Sequence, residues 1–153
     1  MPADARDSRL HWRLVGSLYV EAMLLADEAR SYFDEAGRAE REALGSLDRV
    51  GFACESLKVT TRLMHVIAWL LTQRAVDAGE LRPDEALHPS RRLGDAPRSE
   101  PASVVVLPAG ARFLIGASAD LHRRVARLDA AQAAGSPATN AVRGLQDRLR
   151  MMF

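Results

Sequence analysis

Cysteine is all but missing from this 153-residue chain: Cys54 stands alone, so no internal disulfide can form, and a reducing cytoplasm is the compartment it fits. An excess of either charge is missing too. Twenty-one basic side chains against twenty acidic ones leave a net charge of +1, which gives no bulk positive field to hold nucleic acid. Lys58 is the sole lysine. No apolar run is long enough for a bilayer, because the longest, Leu63 to Leu71, is interrupted by His65 and reaches only about half of the roughly 20 residues a spanning helix needs. The first residues mix acids with arginines and hold no long apolar core, unlike a secretory signal.

Catalytic patterns are absent in the same way. His11, His65, His88 and His122 fall in separate segments with no partner one helical turn away, and no Glu-x-x-His occurs, which argues against a metal site of the helical-bundle kind. No glycine-rich loop follows a strand, so phosphate cradles are missing. Cys54 has no base near it in sequence and lies in an apolar helical stripe, where a lone cysteine reads as a small core residue. The chain reads as non-enzymatic, with no cofactor.

What the sequence does have is helical spacing. Leu14, Leu18, Ala22, Leu25, Ala29 and Phe33 step by three or four residues along a first helix, while Glu21, Asp27, Glu28, Asp34 and Glu35 occupy its opposite, wet face. Gly37 supplies a stop, and Ser46 fits the N-cap of a second helix. That helix, from Ser46 to the neighbourhood of Gly79, would be about 50 Å long at 1.5 Å per residue, the long axis of a bundle. Leu47, Val50, Cys54, Leu57, Thr61, Met64, Ala68, Leu71 and Ala75 form one stripe on it. Val59, Leu63, Val66, Ile67, Leu70 and Val76 are apolar elsewhere on its circumference.

Five prolines between Leu81 and Pro108 mark an irregular connection, in which Pro83 to Ala86 can make one helical turn and Val104 to Leu107 lies extended against the bundle. A third helix opens after Pro108 with Phe113, Ala117, Leu121, Val125 and Leu128 inward, supported by Leu114, Ile115 and Ser118, and with Arg112, Arg123, Arg124 and Arg127 outward. Gly135 to Pro137 ends it. Beyond lies a short amphipathic basic segment in which Val142, Leu145, Leu149 and Met152 run beside Arg143, Arg148 and Arg150; it docks on a partner, folds back as a fourth helix, or lies disordered without a role. The expectation is therefore all-α: an antiparallel three-helix bundle over residues 1–129 with 81–108 as its irregular loop, then a flexible linker and tail over 130–153.

In a three-helix bundle the second helix can bury about two of its three faces, and wet apolar surface marks an interface. The expected contact surface, for a second copy or for cargo, centres on Val66, Trp69, Leu70 and Gln73. Val142, Arg143, Leu145, Arg148, Leu149 and Met152 form a second expected contact in the tail. Trp69, the most interesting of the few aromatics, fits either the bundle interior or a binding hot spot. His65 fits a histidine bonded to a carbonyl, and Thr60 and Thr61 fit side chains bonding carbonyls one turn back, with Arg62 pairing an acid of the first helix.

The stretch ESLKVTTRLMHVIAWLLTQRAVDAGE, with SLYVEAMLLADEARSYFD in the first helix and LHRRVARLD in the third, resembles the regulator-of-CtrA-degradation family, small alphaproteobacterial adaptors of the ClpXP protease. The resemblance implies a three-helix fold that dimerises, without catalytic residues. It also implies partners: the ClpX unfoldase together with a response regulator, and regulatory proteins presented as cargo during the cell cycle. No binding residue of the family transfers to a numbered position here. A helical homodimeric interaction or ligand-binding module unrelated to proteolysis is the alternative.

Overall fold

Aliphatic stripes at three- and four-residue spacing need partners, and three long helices supply them to one another. The computed structural model describes residues 2–135, 145–146 and 148–152, and among these no residue is in a strand. Helix α1 (Pro2–Ser31) continues through a π-helical turn (Tyr32–Ala36) into the short α2 (Arg38–Glu42); α3 (Ser46–Asp77) is the long central helix. The proline-rich connection holds α4 (Pro83–Ala86), a 3-10 turn (Pro89–Arg91) and α5 (Pro101–Val104), after which α6 (Ala109–Ala134) closes the bundle. The fold is all-α, as expected. The third long helix runs to Ala134 and ends at Gly135, where the sequence places its stop.

The core joins Val15, Leu18, Ala22 and Leu25 of α1 to Phe52, Val59, Leu63, Val66 and Leu70 of α3 and Leu114, Leu121 and Val125 of α6. Contacts fix the directions. Tyr19 meets Arg74 and Phe33 meets Phe52, so α1 is antiparallel to α3. Glu21 pairs with Arg124 and Tyr32, just past the end of α1, lies against Gly110, so α1 is antiparallel to α6 as well. Arg62 reaches Ser118 and Trp69 reaches Asp129, so α3 and α6 are parallel. Parallel neighbours require a connection that returns along the whole bundle, and residues 81–108 do this as a strap.

The end of α3 follows from one residue. Gly79 takes a positive φ of 75°; its N–H bonds the Val76 carbonyl, and the Glu80 N–H bonds that of Ala75, which together close a Schellman motif. Gly37 and Gly110 serve a different need. Side-chain carbons at these positions would lie 2.8 Å from the Tyr32 carbonyl and 2.5 Å from its ring, so Tyr32 fits only because both are glycine. Its hydroxyl donates to Glu40 at 2.7 Å. Desolvation first, and then the bond to Glu40, push its pKa up from 10.0 to about 12. A raised folded-state pKa contributes stability that is complete below about pH 10 and lost as pH rises toward 12. Chemical denaturation across that range should show falling stability in the wild type and a flatter profile in Tyr32→Phe.

Several expectations give way to tertiary contacts. Gly45, not Ser46, is the N-cap of α3. Val104 ends a helical turn rather than lying extended, and of its three successors only Leu107 is buried. Phe113 and Cys54 face solvent, because the interior is already filled by the residues beside them. His65 bonds no carbonyl, and its buried Nδ1 has no partner; the carbonyl-bound histidine is His122, at 3.0 Å from the Gly94 oxygen. Thr60 and Thr61 do bond the Ser56 and Leu57 carbonyls, at 3.0 and 2.9 Å.

Candidate protein-interaction surface

Polar side chains on α3 and α6 point at the strap and tie it down. Arg62 is buried, and it donates to the Pro97 carbonyl at 2.9 Å, Ser99 Oγ at 2.7 Å and Ser118 Oγ at 3.3 Å rather than pairing with an acid of α1. Ser99 in turn donates to Glu55, which also accepts from Lys58 Nζ at 3.0 Å. Lys58 holds the Arg98 carbonyl at 2.9 Å. Burial pulls the Arg62 pKa down, and the charge of Glu55 partly restores it. The reason for this chemistry is the strap itself: an irregular segment leaves backbone carbonyls without helix partners, and long cations can satisfy them. Farther along, Asp129 accepts from Arg92 at 2.8 and 2.9 Å and from the indole N–H of Trp69 at 3.0 Å. The hydrogen bond to Asp129 raises the Arg92 pKa.

This arrangement overturns the expected contact surface. Val66, Trp69, Leu70 and Gln73 are buried within the chain, Trp69 being 2% exposed. Trp69 and Gln73 reach α6, where Trp69 donates to Asp129 and Gln73 accepts from Gln132 Nε2 at 2.6 Å, while Val66 and Leu70 belong to the core. Sequence alone puts no neighbour on that side of α3, which α6 occupies.

The free side of α3 is the other stripe. Leu47 (84% exposed), Val50, Leu57 (67%), Met64 (64%) and Leu71 all project into solvent, with Cys54 and Ala68 between them and Thr61 and Ala75 half-buried. Their spacing alternates three and four from Leu47 to Ala75, an a/d heptad pattern, and it keeps to the side of α3 opposite the core. The positions flanking the seam are mostly uncharged. The two cations there are engaged, Lys58 with Glu55 and Arg74 over the Tyr19 ring at 4.5 Å. Val106 of the strap lines the same depression as Leu47 and Val50 and widens the patch at that end. Leu10, Val20 and Leu24 add a smaller apolar surface on α1.

In the tail, Val142 and Arg143 lie outside the described residues. Leu145, Arg148, Leu149 and Met152 are exposed. Among the described residues no three His, Cys, Asp or Glu side chains gather as a metal would require, and no helix is long and apolar enough to cross a membrane.

Core, strap and exposed seam together define a class, the all-α three-helix bundle with a strapped parallel crossover. Within that class the chain belongs to the family described as protein of unknown function DUF1465, whose model matches residues 7–153, and with it to the RcdA proteins that the central helix resembled. It is similar to the crystal structure of RcdA from Caulobacter crescentus CB15, with 35% identity over 80% of this chain and 93% of that chain, and a TM-score of 0.66. No curated protein sequence matches it.

Proposed function

We propose that this chain is a non-enzymatic, cytoplasmic protease adaptor that pairs with a second copy of itself through the outer face of α3 and presents regulatory proteins to ClpXP. The observation that carries the reading is the apolar heptad seam from Leu47 to Ala75. An exposed apolar strip of that length is costly in water unless a protein covers it. A homodimer is the occupant that the pattern itself favours. About a twofold axis between Thr60 and Thr61, two antiparallel α3 helices would set Leu57 against Met64 and Val50 against Leu71, with Cys54 within one residue of Ala68 and Leu47 within one residue of Ala75. Kinship with RcdA supports the partners: ClpX acting with a response regulator, and regulatory proteins degraded during the cell cycle.

Such an adaptor works by tethering. Two weak contacts joined through one scaffold raise the effective concentration of cargo at the unfoldase to the millimolar range for a short flexible link. The tail, with its exposed Leu145, Leu149 and Met152, is the segment we assign to the protease side. In a reconstituted reaction with ClpXP, the response regulator and a labelled regulatory protein, the full chain should accelerate degradation. A chain ending at residue 137 should stay folded and lose that acceleration. Degradation that ignores the protein altogether refutes the adaptor reading, and equal acceleration by the shortened chain refutes the role of the tail.

A further inference from the structure

A cleft of about 600 Å³ opens between the strap and the outer side of α6, away from the heptad seam, and nothing in the proposed adaptor reading uses it. One wall is apolar, formed by Pro97, Pro101, Val104 and Ile115. Gly116 and Ala119 leave a stretch of α6 almost bare of side chains along the cleft, and a β-carbon at Gly116 would have open space around it. The cleft's charge is one-sided. Arg98 comes from the strap and Arg112 and Arg123 from α6, with Arg62 at the back, against the single carboxylate of Asp95.

These cations are not equivalent. Arg62 is spent on the strap, and Arg123 makes only a 3.4 Å contact with Asp120 on its own helix. Among the described residues, Arg98 and Arg112 have no carboxylate within ion-pairing distance of their guanidinium groups. What sets Arg98 and Arg112 apart from other unpaired arginines is their place on one cleft, beside an apolar wall. A nearly neutral protein that leaves unpaired guanidiniums beside an apolar wall has a surface complementary to an acidic ligand.

The spacing selects the kind of ligand. Arg112 and Arg123 are about 16 Å apart along the helix axis at 1.5 Å per residue, too far to close on one phosphate group. Carboxylates four residues apart share one face of an extended peptide, about 13 Å apart at roughly 3.3 Å per residue, a separation two flexible arginine side chains can span. We propose that the cleft between the strap and α6 binds a short extended segment of a partner protein, carrying Asp or Glu at that spacing and an apolar residue between them against Pro97 and Ile115. Prolines at both ends of the strap wall hold it in shape, which limits the ordering cost of binding.

The test is selection from a displayed library of random decapeptides on the full chain, with counter-selection against Arg98→Gln/Arg112→Gln. Both substitutions fall on exposed side chains with no described partner, so folding should be unaffected, and thermal melts check this. Enriched peptides should carry paired Asp or Glu residues and lose at least tenfold in affinity for the double variant. Gly116→Leu, which fills the cleft without changing charge, should weaken the same peptides comparably. A library that yields no binders, binders without acidic bias, or binders indifferent to Gly116→Leu overturns the proposal. So does a nucleoside triphosphate that displaces the selected peptides at lower concentration than they bind, which would make the cleft a small-molecule phosphate site. None of these readouts depends on dimerisation or on proteolysis, so failure here leaves the adaptor reading standing.

Discussion

Trp69→Ala should cost the fold about 3 to 5 kcal/mol, the range for removing a large aromatic from a packed interior. The side chain is buried in the core cluster, so its removal leaves a cavity lined by residues of α3 and α6 that the parallel helix pair cannot easily collapse. Its N–H also disappears, leaving Asp129 with Arg92 as its remaining partner. Against a total stability of about 5 to 15 kcal/mol for an ordinary domain, that is a large share. Urea denaturation at fixed protein concentration measures it. Trp69→Phe separates the two contributions: most of the volume is kept, and the loss should fall to about 1.5 to 3 kcal/mol, the scale of one hydrogen bond to a charged group. If Trp69→Ala left stability unchanged and altered only association, Trp69 would belong to an interface and the packing described here would be wrong.

Leu57→Glu/Met64→Glu should do the opposite. Both side chains stand in solvent in the single chain, so the substitutions should leave the folded protomer within about 0.5 kcal/mol of the wild type. In the proposed dimer the two face each other across the seam. Each loses about 1.5 to 3 kcal/mol of apolar burial, and four carboxylates are forced together at the centre of the interface. The dimer should weaken at least 1000-fold, or about 4 kcal/mol. Sedimentation over a concentration series reads this directly. Arrangement is tested separately by oxidation: in the antiparallel register Cys54 of one copy lies within one residue of Ala68 of the other, so Ala68→Cys should form disulfide-linked dimers that the wild type does not. Ready crosslinking of the wild type through Cys54 alone would indicate a parallel pair. A wild type that stays monomeric at high concentration would leave the seam for another protein.

How much of this was legible in the chain can be judged from α3. Its extent, its all-round apolarity and its stop near Gly79 were all readable, because periodicity and a glycine in the left-handed region are local properties. Which of its apolar faces was core was not. Both faces carry aliphatic residues, and the inner one also carries Glu55, Arg62 and Gln73, polar groups that sequence reasoning assigns to the outside. Spacing does not separate them either, since the inner residues Val59, Leu63, Val66 and Leu70 alternate four and three just as the outer stripe does.

The strap shows the same limit from the other side. Its prolines announced an irregular segment and even placed α4, but nothing local told that α6 would run parallel to α3, or that Lys58, Glu55, Arg62 and Asp129 would be spent on holding the return path. The cleft was equally invisible. Arg98 is separated from Arg112 by a turn of helix and from Arg62 by the whole connection, and only the crossover brings them to one wall.

By itself, then, the sequence determined three long helices, their lengths, the place of the proline-rich break, and a second helix with more apolar surface than one side can hide. Those follow from spacing and from backbone-limited residues, which act over a few residues. Tertiary structure alone decided that Trp69 faces inward while Leu57 and Met64 face water, and that arginines from distant segments share a cleft. A helix presents every side of itself to the solvent until its neighbours arrive, and where they arrive depends on the direction in which the chain returns.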